Sequence, residues 1–380
     1  MSARQVSQIA DAQASQINYY FGSFEQMLCS AQGQALELAE QWCQARLEAL
    51  SGLDESVGMT DAFGYVLAAL IDDWCRNEAD LAFAWTECQL LAGYDETYIE
   101  ATQQWQALWT RFFDELCTRA GLADVSGLMR QFFTGEAFLH RIAWRIPLDR
   151  AVLSETCTGW VRLLLEGEAS PAPLRAVVQG DTRRHAPLPL LAGSVQAQIA
   201  EAAADLVERE GAAAVTHRAV AQAAGLTLGA ATYHFPSSGA LLGAAWAAIY
   251  ARLTRPGSNS FAPTGPVLRE EYMSRIAQFF DNVRQQHDLR GMEELLSQAA
   301  RDPALTGMGA MIRYSRGQST YLTLSRLPRD GAPLDAQAAA LISTWLQGVS
   351  RDLRGLDQDG QKTEMLRQMN LLLDCLRVTP

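Results

Sequence analysis

The stretch THRAVAQAAGLTLGAATYHFPS, residues 216–237, decides the fold of this chain. Thr216 and Thr227 each precede a short apolar pattern with helical spacing, where a hydroxyl can accept a hydrogen bond from the first turn of a helix. Gly225 lies between the two patterns, where a tight turn favours glycine. The stretch therefore predicts a capped helix, a turn and a second capped helix that ends near Phe235.

The rest of the chain predicts helices as well. Apolar residues recur at i, i+3, i+4 and i+7, and no stretch alternates with period two for long enough to indicate a sheet. Helices are predicted from Ser194 to Glu210 and from Ser237 through Leu253. Others are predicted near 58–76, 79–92, 95–120, 125–142, 149–166, 267–286, 288–300, 303–326, 335–354 and 361–377, with a further long helix starting at Ser23. The fold class is all-α.

A weaker copy of the opening stretch begins the chain. Aligning residues 2–28 with 216–242 without gaps gives eight identities, among them Tyr19 with Tyr233 and Phe21 with Phe235. Such a match in an alanine-rich chain needs a second region to support it. With a shift of 213, the apolar positions around Gly135 fall on those around Gly348, and Arg141 falls on Arg354.

The repeat predicts two similar units in tandem, since half of 380 residues is enough for a core in each. The expected divisions are a truncated helix-turn-helix at 1–28, a helical domain at 29–166, a linker at 167–193, a complete helix-turn-helix at 194–240 and a second helical domain at 241–380. We call 1–28 the first reader and 194–240 the second reader. The linker contains four prolines and is expected to be extended. The helix pairs 125–166 and 335–377 are expected to form a four-helix bundle, which makes the chain a pseudo-dimer.

Composition excludes several classes of protein. The hydrophobic fraction of 48% argues against disorder, and no apolar run approaches the roughly 18–20 residues that cross a bilayer. The start of the chain lacks a secretory signal, so a cytoplasmic protein without a membrane partner is expected. The seven cysteines show no paired spacing and are expected to be reduced and buried. The net charge of −12 argues against nonspecific binding to polyanions. A chain with this net charge can still carry a local face that binds DNA.

The second reader resembles the TetR family of bacterial transcription regulators. The resemblance rests on the capped helix, the segment AVAQAAGLTLG at 219–229 and the aromatic end Tyr233-His234-Phe235. It implies that the helix after Thr227 enters the major groove of duplex DNA. Residues facing bases or sugars would be Thr227, Leu228, Ala230 and Thr232, and residues binding phosphates would be Thr216, His217, Arg218, Tyr233 and His234. Ser238 stands where the family usually has lysine, which puts the affinity for DNA in doubt rather than the fold.

The first reader departs further from the family pattern. No helix precedes it in this sequence, Asp11 replaces the turn glycine and Gln13 replaces the capping hydroxyl. Its expected contacts with DNA are Arg4, Gln16, Asn18, Tyr19 and Tyr20. Three interpretations stay open: the first reader has lost DNA binding, the start codon is assigned too late, or a partner covers the gap.

The resemblance also implies a pocket for a small effector in the helices beyond each reader. The candidates are Trp85, Glu87, Trp105, Trp109 and Phe112 in the first unit and Glu294, which aligns with Glu87, in the second. An acid within an aromatic wall would suit a cationic, planar ligand. The other interpretation is an aromatic core beside a solvated glutamate.

No catalytic motif, cofactor-binding motif or metal-ligand spacing stands out among the five histidines or elsewhere, so no enzyme, cofactor or metal is expected. The expected function is a transcriptional regulator, a repressor that a small effector releases from an imperfectly palindromic operator. A homodimer of the whole chain is a further possibility. The alternative is a ligand-binding or protein-interaction module that has kept this scaffold and lost operator binding.

Overall fold

The computed structural model describes residues 3–51, 59–187, 190–254, 265, 267–281 and 283–379. Its first half begins with three helices and continues with five more. These are α1 (Ala3–Ile9), α2 (Ala14–Phe21), α3 (Phe24–Ala49), α4 (Met59–Arg76), α5 (Ala79–Leu91), α6 (Ile99–Arg119), α7 (Ser126–His140) and α8 (Ile146–Glu166).

A short helix, α9 (Pro173–Thr182), connects this half to the second. The second half contains α10 (Val195–Glu210), α11 (His217–Ala223), α12 (Leu228–His234), α13 (Ser238–Thr254), α14 (Arg269–Asp281), α15 (Val283–Ala299), α16 (Thr306–Ser315), α17 (Gln318–Leu324), α18 (Ala336–Asp352) and α19 (Gln358–Cys375). Among the described residues there is no β-strand, and one isolated antiparallel bridge joins Arg329 to Val378. The all-α prediction is confirmed.

Two predicted elements differ in the structure. The predicted helix 303–326 is broken between α16 and α17, where Gly317 has a φ of +101°. The break lets the chain approach α18 closely, since a Cβ on Gly317 would lie 2.6 Å from the backbone of Ala340. The segment 167–193 is not an extended linker, because α9 packs against α8 and α16 and buries Val178 and Thr182. The prolines misled this prediction, since Pro173 occupies the first turn of α9, where proline is tolerated.

The two halves meet where α7 crosses α18. A Cβ on Gly348 would lie 1.7 Å from the carbonyl oxygen of Gln131, and a Cβ on Gly135 would lie 2.1 Å from that of Thr344. Helix axes are usually 8–10 Å apart because side chains separate them, and glycine at both positions removes that separation. The glycine shared by the two copies of the repeat is therefore the point at which the halves make backbone contact.

Buried polar groups also join the halves. Arg313 on α16 lies 2.8 Å from the Glu136 carboxylate on α7, and Arg351 on α18 donates to the carbonyl oxygen of Thr86 at 2.6 Å. Arg130 and Asp352 form a third buried contact between α7 and α18. Removing one partner of such a pair leaves an uncompensated charge, so these contacts fix how the halves sit together.

Candidate nucleic-acid interface

The second reader has the local structure that its sequence predicts. Thr216 accepts a hydrogen bond from Ala219 N and Thr227 accepts one from Ala230 N, each at 3.2 Å. Gly225 has a φ of +66°, in the left-handed region that favours glycine. The two hydrogen bonds and the conformation of Gly225 set the angle at which α12 follows α11.

The predicted contact residues of this reader are mostly accessible. The exposed ones are Thr216, Arg218, Thr227, Leu228, Thr232 and Tyr233, and the half-buried ones are His217, Ala230 and His234. Leu228 is 48% exposed at the start of α12. Ala231, on the opposite side of α12, is fully buried. The helix therefore presents its first turn and Tyr233 outward.

His217 has a structural partner within the reader. Its Nε2 lies 2.6 Å from the carbonyl oxygen of Phe235, so that nitrogen carries a proton and donates it to the end of α12. The ring therefore braces α11 against α12. A phosphate contact, which the sequence predicts for His217, would have to use the other ring nitrogen.

The scaffold behind this reader depends on a residue that the sequence did not single out. Arg252 on α13 lies 2.5 Å from Glu201, 2.7 Å from Asp205 and 2.7 Å from Glu208, all on α10. The acids fall at i, i+4 and i+7 and so share one face of their helix. That spacing was visible in the sequence, but the residue facing it lies more than 40 positions away. Arg252 offsets one of the three negative charges that these acids carry.

The first reader is built differently. Few apolar side chains are buried in its described part. Ile17 is the buried apolar residue among residues 6–13 and 15–21, and the polar Ser7 is buried as well. Asp11 has a φ of +49°, so it takes the left-handed conformation that the aligned residue Gly225 has in the second reader. Gln13 does not cap α2 with its side chain. Instead, the backbone N–H of Gln13 donates to Oε1 of Gln16 at 2.9 Å. The side-chain oxygen of Gln16, a residue predicted to contact DNA, therefore already accepts a hydrogen bond.

The tip of the first reader is nevertheless open. Asn18, Tyr19 and Tyr20 are exposed, and the two tyrosine rings meet edge to face at 4.9 Å. The side chain of Arg4 lies outside the described residues. In the described part of the chain, α2 packs against α1 and α3, and the face that α10 covers in the second reader has no counterpart helix here.

The aromatic ligand candidates form a packed core. Trp85, Trp105, Trp109 and Phe112 are each no more than 1% exposed. The rings of Trp85 and Trp109 have centroids 4.9 Å apart, and Trp109 contacts Phe112 at 5.9 Å. Edge-to-face and tilted contacts at these distances are typical of protein interiors. Of the two interpretations, the geometry matches the aromatic core.

The two matched glutamates lie between the halves rather than inside that core. Glu87 accepts a hydrogen bond from Ser297 Oγ at 2.5 Å and lies 3.6 Å from Arg301. Glu294 accepts from the backbone N–H of Ala212 at 3.0 Å, just after α10. Burial raises the pKa of Glu294, and the charge of Glu87 adds to that effect. Glu294 thus links the second helical domain to the second reader.

Other kinds of site find little support. Within the described ranges no group of three or more histidine, cysteine, aspartate or glutamate side chains could hold a metal ion. In the same ranges no helix is both long and apolar enough to span a membrane. Burial raises the pKa of Cys43, Cys75 and Cys117 to about 12, so these thiols stay protonated and unreactive near neutral pH.

Comparison with known proteins identifies the second reader. Residues 199–245, from within α10 to within α13, match the family model described as bacterial regulatory proteins, tetR family. No curated protein and no solved structure matches the chain. Over these residues the second reader is therefore similar to the bacterial regulatory proteins that this family model describes.

Proposed function

We propose that the chain is a tandem TetR-like regulator in which the second reader supplies most of the DNA recognition. The observation that carries the proposal is the complete second reader, with Leu228, Thr232 and Tyr233 exposed on a helix whose other side is buried. One α-helix fits the major groove, where each base pair shows its own pattern of donors and acceptors. Exposed hydroxyls and an apolar side chain at the start of α12 suit that surface.

The two units act as a pseudo-dimer within one chain. Support comes from Gly135 and Gly348, which the repeat aligns and which lie against each other in the structure. In an interface with two-fold symmetry, a residue near the axis contacts its own copy. A covalent pair of units would set two unequal readers about one turn of DNA, roughly 34 Å, apart. The operator would then be an imperfect palindrome.

Regulation would be repression that a small effector relieves. An effector that binds one arrangement of the readers better than the other shifts the population toward it by no more than its difference in affinity. Contacts such as that of Glu294 with Ala212 join the helical sensor to α10 and offer a route for this coupling.

Selection of bound fragments from a library of random duplexes tests the function and the symmetry together. We expect enriched fragments with one well-defined half-site and a second, degenerate half-site about one helical turn away. Fragments with two equal half-sites would contradict the unequal readers. Absence of any enrichment would overturn operator binding.

Light scattering tests the pseudo-dimer. A mass near that of the 41.7 kDa chain is expected, because the pairing of units is already satisfied within it. A mass of about twice that value would show a homodimer of whole chains and would contradict the self-contained version.

Two observations favour a second candidate function. The first reader has few buried apolar residues in its described part, and α10 carries more acidic than basic side chains. A chain with these features could bind a ligand or a protein on the same scaffold without an operator. Failure of the fragment selection in a folded protein would support this alternative.

A further inference from the structure

A cavity of about 520 Å³ lies where α9 meets the break between α16 and α17 and the start of α18. Its size falls within the range of about 300–1,000 Å³ that is usual for small-molecule sites. The sequence predicted no site here, because it predicted an extended linker in place of α9 and an unbroken helix through Gly317. Both departures from the prediction therefore border the same cavity.

Two arginines line the cavity, and neither has a carboxylate within 4.0 Å among the described residues. Arg175 on α9 is 8% exposed, and its hydrogen bond is a long one of 3.4 Å to the carbonyl oxygen of Tyr314. Arg316, at the helix break, donates from Nη2 to the carbonyl oxygen of Ser343 at 3.1 Å. Its Nε is fully buried and has no partner.

The nearby acids are already engaged. Glu136 pairs with Arg313 at 2.8 Å, and Glu293 lies 3.2 Å from Arg351. Glu155 accepts the backbone N–H of Arg175 at 3.0 Å, so it holds the start of α9. No aspartate or glutamate is among the residues that line the cavity. No carboxylate therefore lies on the wall of the cavity, although Glu136 attracts both guanidinium groups and Glu293 attracts that of Arg316.

Such an arrangement is costly without a ligand. Burying a cation that lacks a partner opposes folding, and natural chains keep such groups mainly at functional sites. Burial lowers the pKa of Arg316 to about 10, because its effect outweighs the attraction of Glu293, and the group stays charged at neutral pH. Gln337 adds a buried side-chain nitrogen without a partner, the second such donor after Arg316 Nε.

The remaining wall is mainly apolar, with Tyr321 and Leu322 on α17 and several alanines. Arginine suits carboxylates because its planar fork donates two parallel hydrogen bonds. We propose that this cavity binds a small organic carboxylate with an apolar body, and that this ligand is the effector of the regulator. The second part of the proposal rests on the function proposed above.

The position of the cavity explains how binding would reach the second reader. After α9 the chain passes through His185, which packs on Gly307 of α16, and reaches Ser194, the cap of α10. Leu190 on the way packs against the core of the second reader. A ligand that draws Arg175 toward Arg316 would shift α9, the helix that precedes α10 along the chain.

Calorimetric titration with three probes of one shape tests the charge preference. Benzoate, benzamide and benzamidine are anionic, neutral and cationic, respectively, at neutral pH. We expect benzoate to bind at least tenfold more tightly than either of the others. Equal binding of all three, tighter binding of benzamidine, or no binding of benzoate at millimolar concentration would overturn the site.

Two substitutions locate the binding. R316M is expected to weaken benzoate binding at least tenfold, and R316K less, because lysine keeps the charge but loses the fork. R326M is the matched control, since Arg326 is exposed beyond the end of α17 and does not line the cavity. Benzoate binding that survives R316M would overturn the assignment.

Stability separates a binding role from a structural one. Because Arg316 has no carboxylate partner, R316M is expected to keep or raise the melting temperature while it abolishes binding. A lower melting temperature together with unchanged benzoate affinity would show a structural arginine and contradict the proposal.

Operator binding distinguishes this proposal from the function on which it rests. Benzoate is expected to lower the affinity of the wild-type chain for a selected DNA fragment and to leave that of R316M unchanged. If the chain binds benzoate but no DNA, the site stands and the proposed function fails. If DNA binding occurs but does not respond to bound benzoate, the effector role fails.

Discussion

The first and second readers end in similar surfaces but differ in what lies behind them. Tyr19 and Tyr233, which the repeat aligns, are 81% and 83% exposed. Behind Tyr233, the helices α10 and α13 pack along their length and bury Leu206, Val207 and Trp246. The described part of the first reader has no such layer.

This difference shows that the exposure of a tip and the support of its helix from behind are separate properties. A helix of seven or eight residues is marginal in water by itself, so its position depends on packing from behind. The second reader has that packing, and Arg252 with three acids adds to it. The first reader relies on α3 and on its own two short helices.

The largest effect is expected where the two halves hold both readers in one frame. G348A would place a Cβ 1.7 Å from Gln131 O, so α7 and α18 must separate. We expect a loss of about 3 kcal/mol or more in the free energy of unfolding, at the upper end of overpacking effects. Urea denaturation followed by circular dichroism measures it.

The matched control is G33A in α3. A Cβ on Gly33 meets nothing within 4 Å, and alanine favours a helix over glycine by about 0.5–1 kcal/mol. This variant should be as stable as the wild type or slightly more so. Equal behaviour of the two variants would contradict the backbone contact between the halves.

The next effect concerns the layer behind the second reader. R252M leaves Glu201, Asp205 and Glu208 without their shared cation, and the loss is expected to be about 2 kcal/mol, since two of these acids are partly exposed. Hydrogen exchange should show α10 opening more often. R209M in the same reader is the control and should change stability by less than about 0.5 kcal/mol, because Arg209 is exposed.

A smaller effect separates the two tips. Y233A should weaken binding to a selected DNA fragment by at least tenfold, about 1.4 kcal/mol, whereas Y19A should weaken it less than threefold. Both side chains are exposed to the same degree, so neither change should alter the circular dichroism spectrum. Fluorescence anisotropy measures the affinities. Equal losses would show two equivalent readers, and no loss in Y233A would contradict the role of the second.

The smallest effect is a pH dependence near the second reader. Burial raises the pKa of Glu294 above 4.5, so the folded chain holds this proton more tightly than the unfolded chain does. The contribution of Glu294 to stability is therefore greatest below about pH 4.5 and falls as the pH rises through the raised pKa. E294Q should raise the melting temperature at pH 7. The corresponding gain in the free energy of unfolding should be less than about 1 kcal/mol.

E87Q provides the comparison. Glu87 lies 3.6 Å from Arg301 with part of its surface exposed, and such pairs contribute little, so the change should be small and slightly destabilising. Melting curves between pH 4 and pH 8 compare the two variants. A lower stability of E294Q across that range would contradict the burial of a charged Glu294.

The sequence predicted the local structure of the second reader well. Caps at Thr216 and Thr227 and the turn at Gly225 depend on a few neighbouring residues. Such features follow from steric limits on the backbone and from hydroxyls within reach of the next turn. The sequence could not show that His217 braces Phe235 or that Arg252 faces α10, because those partners are 18 and more than 40 residues apart.

By itself, then, the sequence determined an all-α chain and the likeness of the second reader to the TetR family, since periodicity, caps and turns depend on residues that are close together in the chain. Only the tertiary structure decided that the tryptophans pack as a core, that α9 forms in a proline-rich segment and that Arg175 and Arg316 line one cavity. The physical reason is that burial depends on distant elements. Whether an arginine lies beside a carboxylate or beside an open cavity is decided by helices that are distant in the sequence.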